Sequence, residues 1–238
     1  MIFRLSLTIV VSLGLWSAAP ARDASLPREL SCQSTFRPDI AVTDLVRRFG
    51  TANVSTEDLE GGGAEGDTEP CTVLFAKNLA DRVEVHWKDK AQRRFPSFVA
   101  IHGARSRWRT PLGLTVGQSL PAVEALNRRP FRLAGFGYDG QGAVLSWAGG
   151  SLSKSDSAGC WVFVRIVPPW PLDVKRERRY SELVGGSAFS SAHPAMKALN
   201  PTVTEVMLVF SPRPPANHRM HPTAAGGRGE RPRVMRER

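Results

Sequence analysis

The sequence predicts an α+β domain in which two helix–β-hairpin units form an antiparallel sheet with helices on one face. Three observations predict it. Twice along the chain, apolar residues at helical spacing precede runs with the alternation or apolar content of strands. Short turns containing Gly, Asp or Asn join the paired runs. The order helix, strand, strand recurs as a pattern, without sequence identity between the halves.

Residues 1–21 read as a secretory signal. Arg4 supplies the cation, Leu5 to Trp16 the apolar run, and Ala19-Pro20-Ala21 the small residues before an expected cleavage. The run is too short to span a bilayer comfortably, so no transmembrane segment is expected after cleavage. A periplasmic or secreted location follows. Residues 22–35 lead into a single domain over 36–210, with unit one at 36–105 and unit two at 106–210.

Unit one opens with IAVTDLVRRFG, where Val42, Leu45, Val46 and Phe49 keep helical spacing and Gly50 stops the helix. EDLEGGGAEGDTEP reads as a loose loop. CTVLFA and DRVEVHW then read as a strand pair, with Val83, Val85 and Trp87 alternating with polar residues. In unit two, GLTVGQSLPAVEALN places Leu120, Val123 and Leu126 on one helical face, with Ser119 at the N-cap and Pro121 in the first turn. FRLAGFG and GAVLSW read as a hairpin around Tyr138 to Gln141. CWVFVRIV reads as a central strand, DVKRERRYSE as a charged connector, and HPAMKAL and VTEVMLVF as a closing helix and strand.

From Ser211 the chain loses apolar periodicity and fills with Pro, Gly and Arg, the composition of a disordered tail. It carries seven Arg against two Glu, so half of the chain's net charge of +10 lies there. The basic balance therefore describes the tail, and nucleic-acid binding by the domain is not expected.

The stretch GFGYDG, Gly135 to Gly140, has the G-x-G-x-x-G spacing of dinucleotide loops. That loop works only where a strand ends and a helix begins, because the helix amides meet the phosphates. Here β-forming residues follow, so the glycines read as hairpin punctuation and no cofactor is expected. His218 and His221 lack further ligands nearby, and the three cysteines lack C-x-x-C pairs, so no metal site is expected either. No catalytic residues emerge, and the protein reads as a non-enzyme. The alternative is a hydrolase, which would require His86, His102 or His193 to meet a carboxylate and a hydroxyl in a cleft.

Cys32, Cys71 and Cys160 remain after cleavage, which in an oxidising compartment implies one disulfide and one free thiol, with three pairings open. The pairing expected here is Cys32 with Cys71, which closes unit one; Cys160 reads as a buried thiol at a strand start.

The run GLTVGQSLPAVEALNRRPFRLAGFGYDGQGAVLSWAGGSL resembles the central motif of an uncharacterised family of exported bacterial proteins. Leu126-Asn127, Pro130-Phe131, the Gly135-Phe136-Gly137 turn, Asp139 and Trp147 carry the resemblance. VLFAKNLADRVEVHWKD, SRWRTPLGL and FSSAHPAMKALNPTVTEV are also similar, so the likeness spans most of residues 36–210. Where relatives carry Asn-Gly, this chain has Asn127-Arg128-Arg129, and Tyr138 stands for an expected Trp. The family brings no activity to transfer. At the level of modules, the helix-then-hairpin unit is similar to those of outer-membrane assembly lipoproteins and secreted β-lactamase inhibitor proteins, which implies a binder without chemistry.

The expected function is therefore that of an exported protein- or envelope-binding module. Its candidate binding face is the unit-two hairpin, with Phe131, Phe136, Tyr138 and Trp147 beside Arg132 and Asp139, and Trp108 as a further anchor.

Overall fold

A computed structural model describes residues 28–60, 68–103, 106–137, 140–155 and 159–210. The signal and tail readings fall outside the described residues. The chain is α+β. Helix α1 (Val42–Phe49) leads into strands β1 (Val54–Glu60), β2 (Thr68–Leu74), β3 (Val83–Asp89) and β4 (Arg94–His102). Helix α2 (Leu120–Asn127), β5 (Arg132–Ala134), β6 (Val144–Ser146) and β7 (Trp161–Val167) follow. The chain then forms α3 (Val174–Ser181), β8 (Ala188–Ser190), α4 (Pro194–Leu199) and β9 (Thr202–Val209). The main sheet has six strands in the order β1-β2-β3-β4-β9-β7, every neighbouring pair antiparallel.

Local chemistry explains the helices. The Asp44 carboxylate accepts the Ala41 amide at 2.9 Å and closes the first turn of α1, and this backbone hydrogen bond holds the Asp44 carboxyl below its usual range. The Ser119 hydroxyl accepts from the Ala122 amide at the head of α2, and the Asp173 carboxylate from the Arg176 amide at 2.9 Å at the head of α3. Leu45 and Phe49 of α1, Leu120 and Val123 of α2, and Ala195, Met196 and Leu199 of α4 are buried.

Strand register sorts the rest. Val85 faces Val99, which faces Leu208, which faces Val162; Ile101 faces Val206, which faces Val164. All of these side chains lie on one face, and they form a single apolar cluster with the buried residues of α1, α2 and α4. Each large aliphatic side chain so buried stabilises the fold by about 1.5–3 kcal/mol against the ordering entropy. Trp87 lies there too, its indole N–H donating to the Thr72 hydroxyl at 3.0 Å, so the ring is buried without leaving a polar atom unpaired. Cys71, Val73 and Ala100 are equally buried but lie outside that cluster, at the centre of the opposite face.

The sequence reading places both hairpins in one sheet; the structure separates them. β5 and β6 pair as expected, but they take β8 as a third strand and form a small sheet in the order β6-β5-β8. β9 occupies the place beside β4 and β7 the next, so the position next to β4 is filled by the closing strands of the chain and not by the second hairpin. Among the described residues the hairpin meets the main sheet through one bridge, Ala143 to Arg165, through the Ile166 amide donating to Gly142 O at 2.9 Å, and through Arg165 Nη1 donating to Gln141 O at 3.3 Å. Gly142 is required there: its φ is +66° and a Cβ would run into the Ile166 carbonyl.

Candidate functional site

The rings named as the candidate binding face are core. Phe131, Phe136, Trp147 and Trp108 expose between 0% and 2% of their surface. Phe131 packs on Trp147 with ring centroids 5.1 Å apart, and Phe136 stacks on Tyr180 at 5.3 Å. Trp108 lies against Phe36 and Phe49 and donates its indole N–H to Asp81 O at 2.7 Å. Rings this large bury too much apolar area to be left facing water when the core can take them. Arg132 is exposed and donates to Ala188 O at 3.1 Å, bracing β5 against β8. Tyr138 and Asp139 lie outside the described residues.

The disulfide reading is corrected as well. Cys32 is bonded to Cys160, 128 residues away, and Cys71 is the free thiol. Cys71 sits on the face opposite the core cluster, whereas Cys32 belongs to that cluster together with Cys160. Burial, then the nearby Glu84 and Glu57 carboxylates, push the Cys71 thiol up to about 12, so it stays protonated and unreactive.

Asp81 anchors a polar cluster. It accepts from Arg28 Nη2 at 3.2 Å, Asn78 Nδ2 at 3.1 Å and Arg107 Nε at 2.5 Å. Burial pushes its carboxyl up, but the Arg107 and Arg28 hydrogen bonds more than offset this and leave it lowered. The carboxylate lines a recess of about 420 Å³ with Arg28, Phe75, Lys77 and Arg107. The carboxylate ties Arg28, Asn78 and Arg107 together, while the main-chain oxygen of Asp81 holds the Trp108 indole.

The opposite face of the main sheet carries the other polar groups, contributed by all six strands. Arg82, just before β3, grips Glu57 of β1 through Nη2 at 2.7 Å and Glu84 of β3 through Nε at 3.0 Å. His102 of β4 stands between Glu84 at 3.3 Å and Glu205 of β9 at 3.5 Å, and Arg165 of β7 donates to Glu205 at 2.9 Å. The acids and bases thus alternate from β1 to β7. The hydrogen bonds that Arg82 donates to Glu57 and Glu84 raise its guanidinium further. Burial pushes the Glu84 carboxyl up, and the His102 and Arg82 hydrogen bonds bring it below its usual range. Arg82, Glu84, His102, Leu79 and Ala100 line a recess of about 450 Å³ at this end of the face.

Beside the ionic row lies an apolar strip. Phe163 faces Met207, which faces Ala100; Phe98 faces Val209, and His86 faces Phe98. Phe98, Phe163, Met207 and Val209 are each half-buried. The His86 ring stacks on Phe98 with centroids 4.0 Å apart and contacts the Glu69 carboxylate through Nδ1 at 2.8 Å. Glu69 also binds Lys90, and that hydrogen bond, then the one from His86, lowers its carboxyl.

His193, the third histidine of interest, caps α4, accepting the Ala195 amide at Nδ1. Among the described residues no hydroxyl or thiol is hydrogen-bonded to His86, His102 or His193. Among the described residues, too, no helix is long and apolar enough to cross a membrane, and no three His, Cys, Asp or Glu side chains converge as metal ligands would. Compared with models of known protein families, with curated proteins and with solved structures, the chain matches none.

Proposed function

We propose that this is an exported, non-catalytic binding module whose recognition surface is the face of the six-stranded sheet opposite the core. The partner is a protein or other component of the cell envelope. One observation carries the reading: the half-buried strip of Phe98, Phe163 and Met207 lies alongside an ion-pair row reaching from Glu57 to Arg165. Aromatic and Met side chains next to fixed charges are what partner surfaces concentrate, the rings supplying area and the charges register. The polar groups satisfy one another, which is the arrangement of a scaffolded surface. A reacting centre would leave an activated group aimed at open space. The export part rests on the N-terminal composition, and the Cys32–Cys160 bond is compatible with it.

Site-specific photocrosslinking tests the surface. A photoreactive residue at position 163 or 207 is expected to give a discrete adduct in envelope fractions, and one at Lys197, exposed on α4, is not. No adduct from either sheet position, or equal adducts from Lys197, refutes the reading. N-terminal sequencing of the mature chain is expected to begin at Arg22; an intact Met1 terminus refutes export through a cleaved signal.

A further inference from the structure

His102 points one ring nitrogen at each of two carboxylates. Nε2 is 3.3 Å from Glu84 Oε2 on β3, and Nδ1 is 3.5 Å from Glu205 Oε1 on β9. Ionised carboxylates only accept hydrogen bonds, so both contacts are attractive only when both ring nitrogens carry protons. A neutral ring turns a lone pair toward one of the two acids. The surrounding charges do not relieve this. Arg82 holds the other oxygen of Glu84 and also Glu57, while Arg165 holds the other oxygen of Glu205. Only the protonated ring completes the alternation of sign across the sheet.

The placement gives this proton mechanical leverage. His102 is the last residue of β4 and the direct cross-strand partner of Glu205, so it closes one end of the seam between β4 and β9. Glu84 belongs to the strand on the other side of β4. The side chain is 45% exposed, so its proton exchanges with solvent without unfolding, and it lines the recess with Arg82, Glu84 and Leu79.

We propose that His102 is a proton-operated clasp on the recognition face: protonated, it ties β3 to β9 across β4 and fixes the wall of the recess; deprotonated, it releases both carboxylates and loosens that end of the face. The proposal rests on the reading of this face as the partner surface, and makes engagement there dependent on pH. The Glu84 hydrogen bond raises His102 above the ordinary value for a histidine, with burial opposing and the Glu205 charge assisting. A raised histidine contributes stability below its unfolded value of about 6.5, and that contribution disappears as pH rises through the raised folded value. The clasp is therefore engaged in acid and open in alkali.

The test uses the full chain alone, with isotope-labelled histidine followed by NMR from acid to alkaline pH, together with the Glu84→Gln and Glu205→Gln variants. The expected result is a His102 midpoint above that of a free histidine and lower in both variants. Amide exchange at Glu205 and Val206, measured relative to the β2–β3 pair, is expected to accelerate above that midpoint, with the step absent in His102→Gln. A wild-type midpoint at or below the free value overturns the clasp, as does one that neither variant moves. A normal titration without the exchange step overturns it too. Because no partner enters, a failed crosslink beside an intact titration sinks the binding reading alone.

Discussion

Replacing Cys32 and Cys160 together by serine removes the one covalent tie between the lead segment and the start of β7. The loop it closes is 128 residues long. The chain-entropy model assigns a loop of that length about 5 kcal/mol, against about 4 kcal/mol for the Cys32–Cys71 loop expected from sequence. Both half-cystines are 5% exposed within the apolar cluster, so the new hydroxyls add a desolvation cost. A domain of this size is stable by about 5–15 kcal/mol, so the double variant is expected to lose a large share of its stability. Guanidinium unfolding of both proteins reads the loss directly. The denaturant slope should steepen as well, because the unlinked unfolded chain exposes more surface. A non-reducing peptide map should show Cys32 joined to Cys160 and Cys71 free. A loss below about 1 kcal/mol, or a map joining Cys32 to Cys71, refutes the reasoning, since the tie would then constrain little or lie elsewhere.

Asp81→Asn should destabilise by about 3 kcal/mol in urea unfolding, the low end for breaking a buried ion pair, because the Arg107 side chain is 58% exposed and can rehydrate; an unchanged midpoint would remove Asp81 from its anchoring role. The same variant should flatten the acid limb of the stability profile. A lowered carboxyl contributes above its unfolded value of about 3.9 and loses that contribution as pH falls through the folded one, so parallel acid limbs for the two proteins would contradict the assignment. Arg128→Gly should stabilise by about 0.5–1 kcal/mol, because Arg128 ends α2 with φ +61° and only glycine takes that conformation freely. A thermal midpoint lower than wild type would show that the Arg128 side chain does more than tolerate its backbone.

The elements legible in the sequence are those that bury one face. α1, α2, β3 and β9 carry apolar periodicity because each packs one side on the core; the apolar run CWVFVRIV was legible as a strand, but β7 lies at the edge of the sheet and not at its centre. β1 was not legible because VSTEDLE is an edge strand with acids along it, as suits a ladder that must not recruit another chain. β4 was hidden by Pro96, a residue that demotes a strand reading. It is tolerated here because it faces Trp87 beside a register shift, where the ladder is already interrupted. α3 buries none of its own residues, so its sequence shows only a charged connector; the Asp173 cap was the available signal. The ionic row could not be read at all. Its members lie at positions 57, 82, 84, 102, 165 and 205, and the β4–β9–β7 register alone brings the last three together.

The GFGYDG stretch and the run around it show why architecture was readable where surface contacts were not. Asn127 is fully buried; its amide donates to Trp147 O at 3.0 Å and Arg129 O at 2.9 Å, and its carbonyl accepts from the Leu152 amide at 3.2 Å. Gly150 is pressed against that side chain, and a Cβ on Gly135 would meet Leu183 O at 2.6 Å and Gly185 O closer still. After Gly140 the chain turns into β6: Ala143 donates to Gly140 O and Ala134 to Ala143 O, so these two amides are spent inside the hairpin. Each of these described residues owes its identity to a close approach or a buried hydrogen bond, constraints that leave a recognisable spacing in the chain. Surface residues such as Phe163 and His102 answer only to their cross-strand neighbours, and their spacing in sequence carries no trace of the partnership. The spacing of these residues therefore marks how the domain is built, and the sheet face proposed to meet a partner lies where no such spacing points.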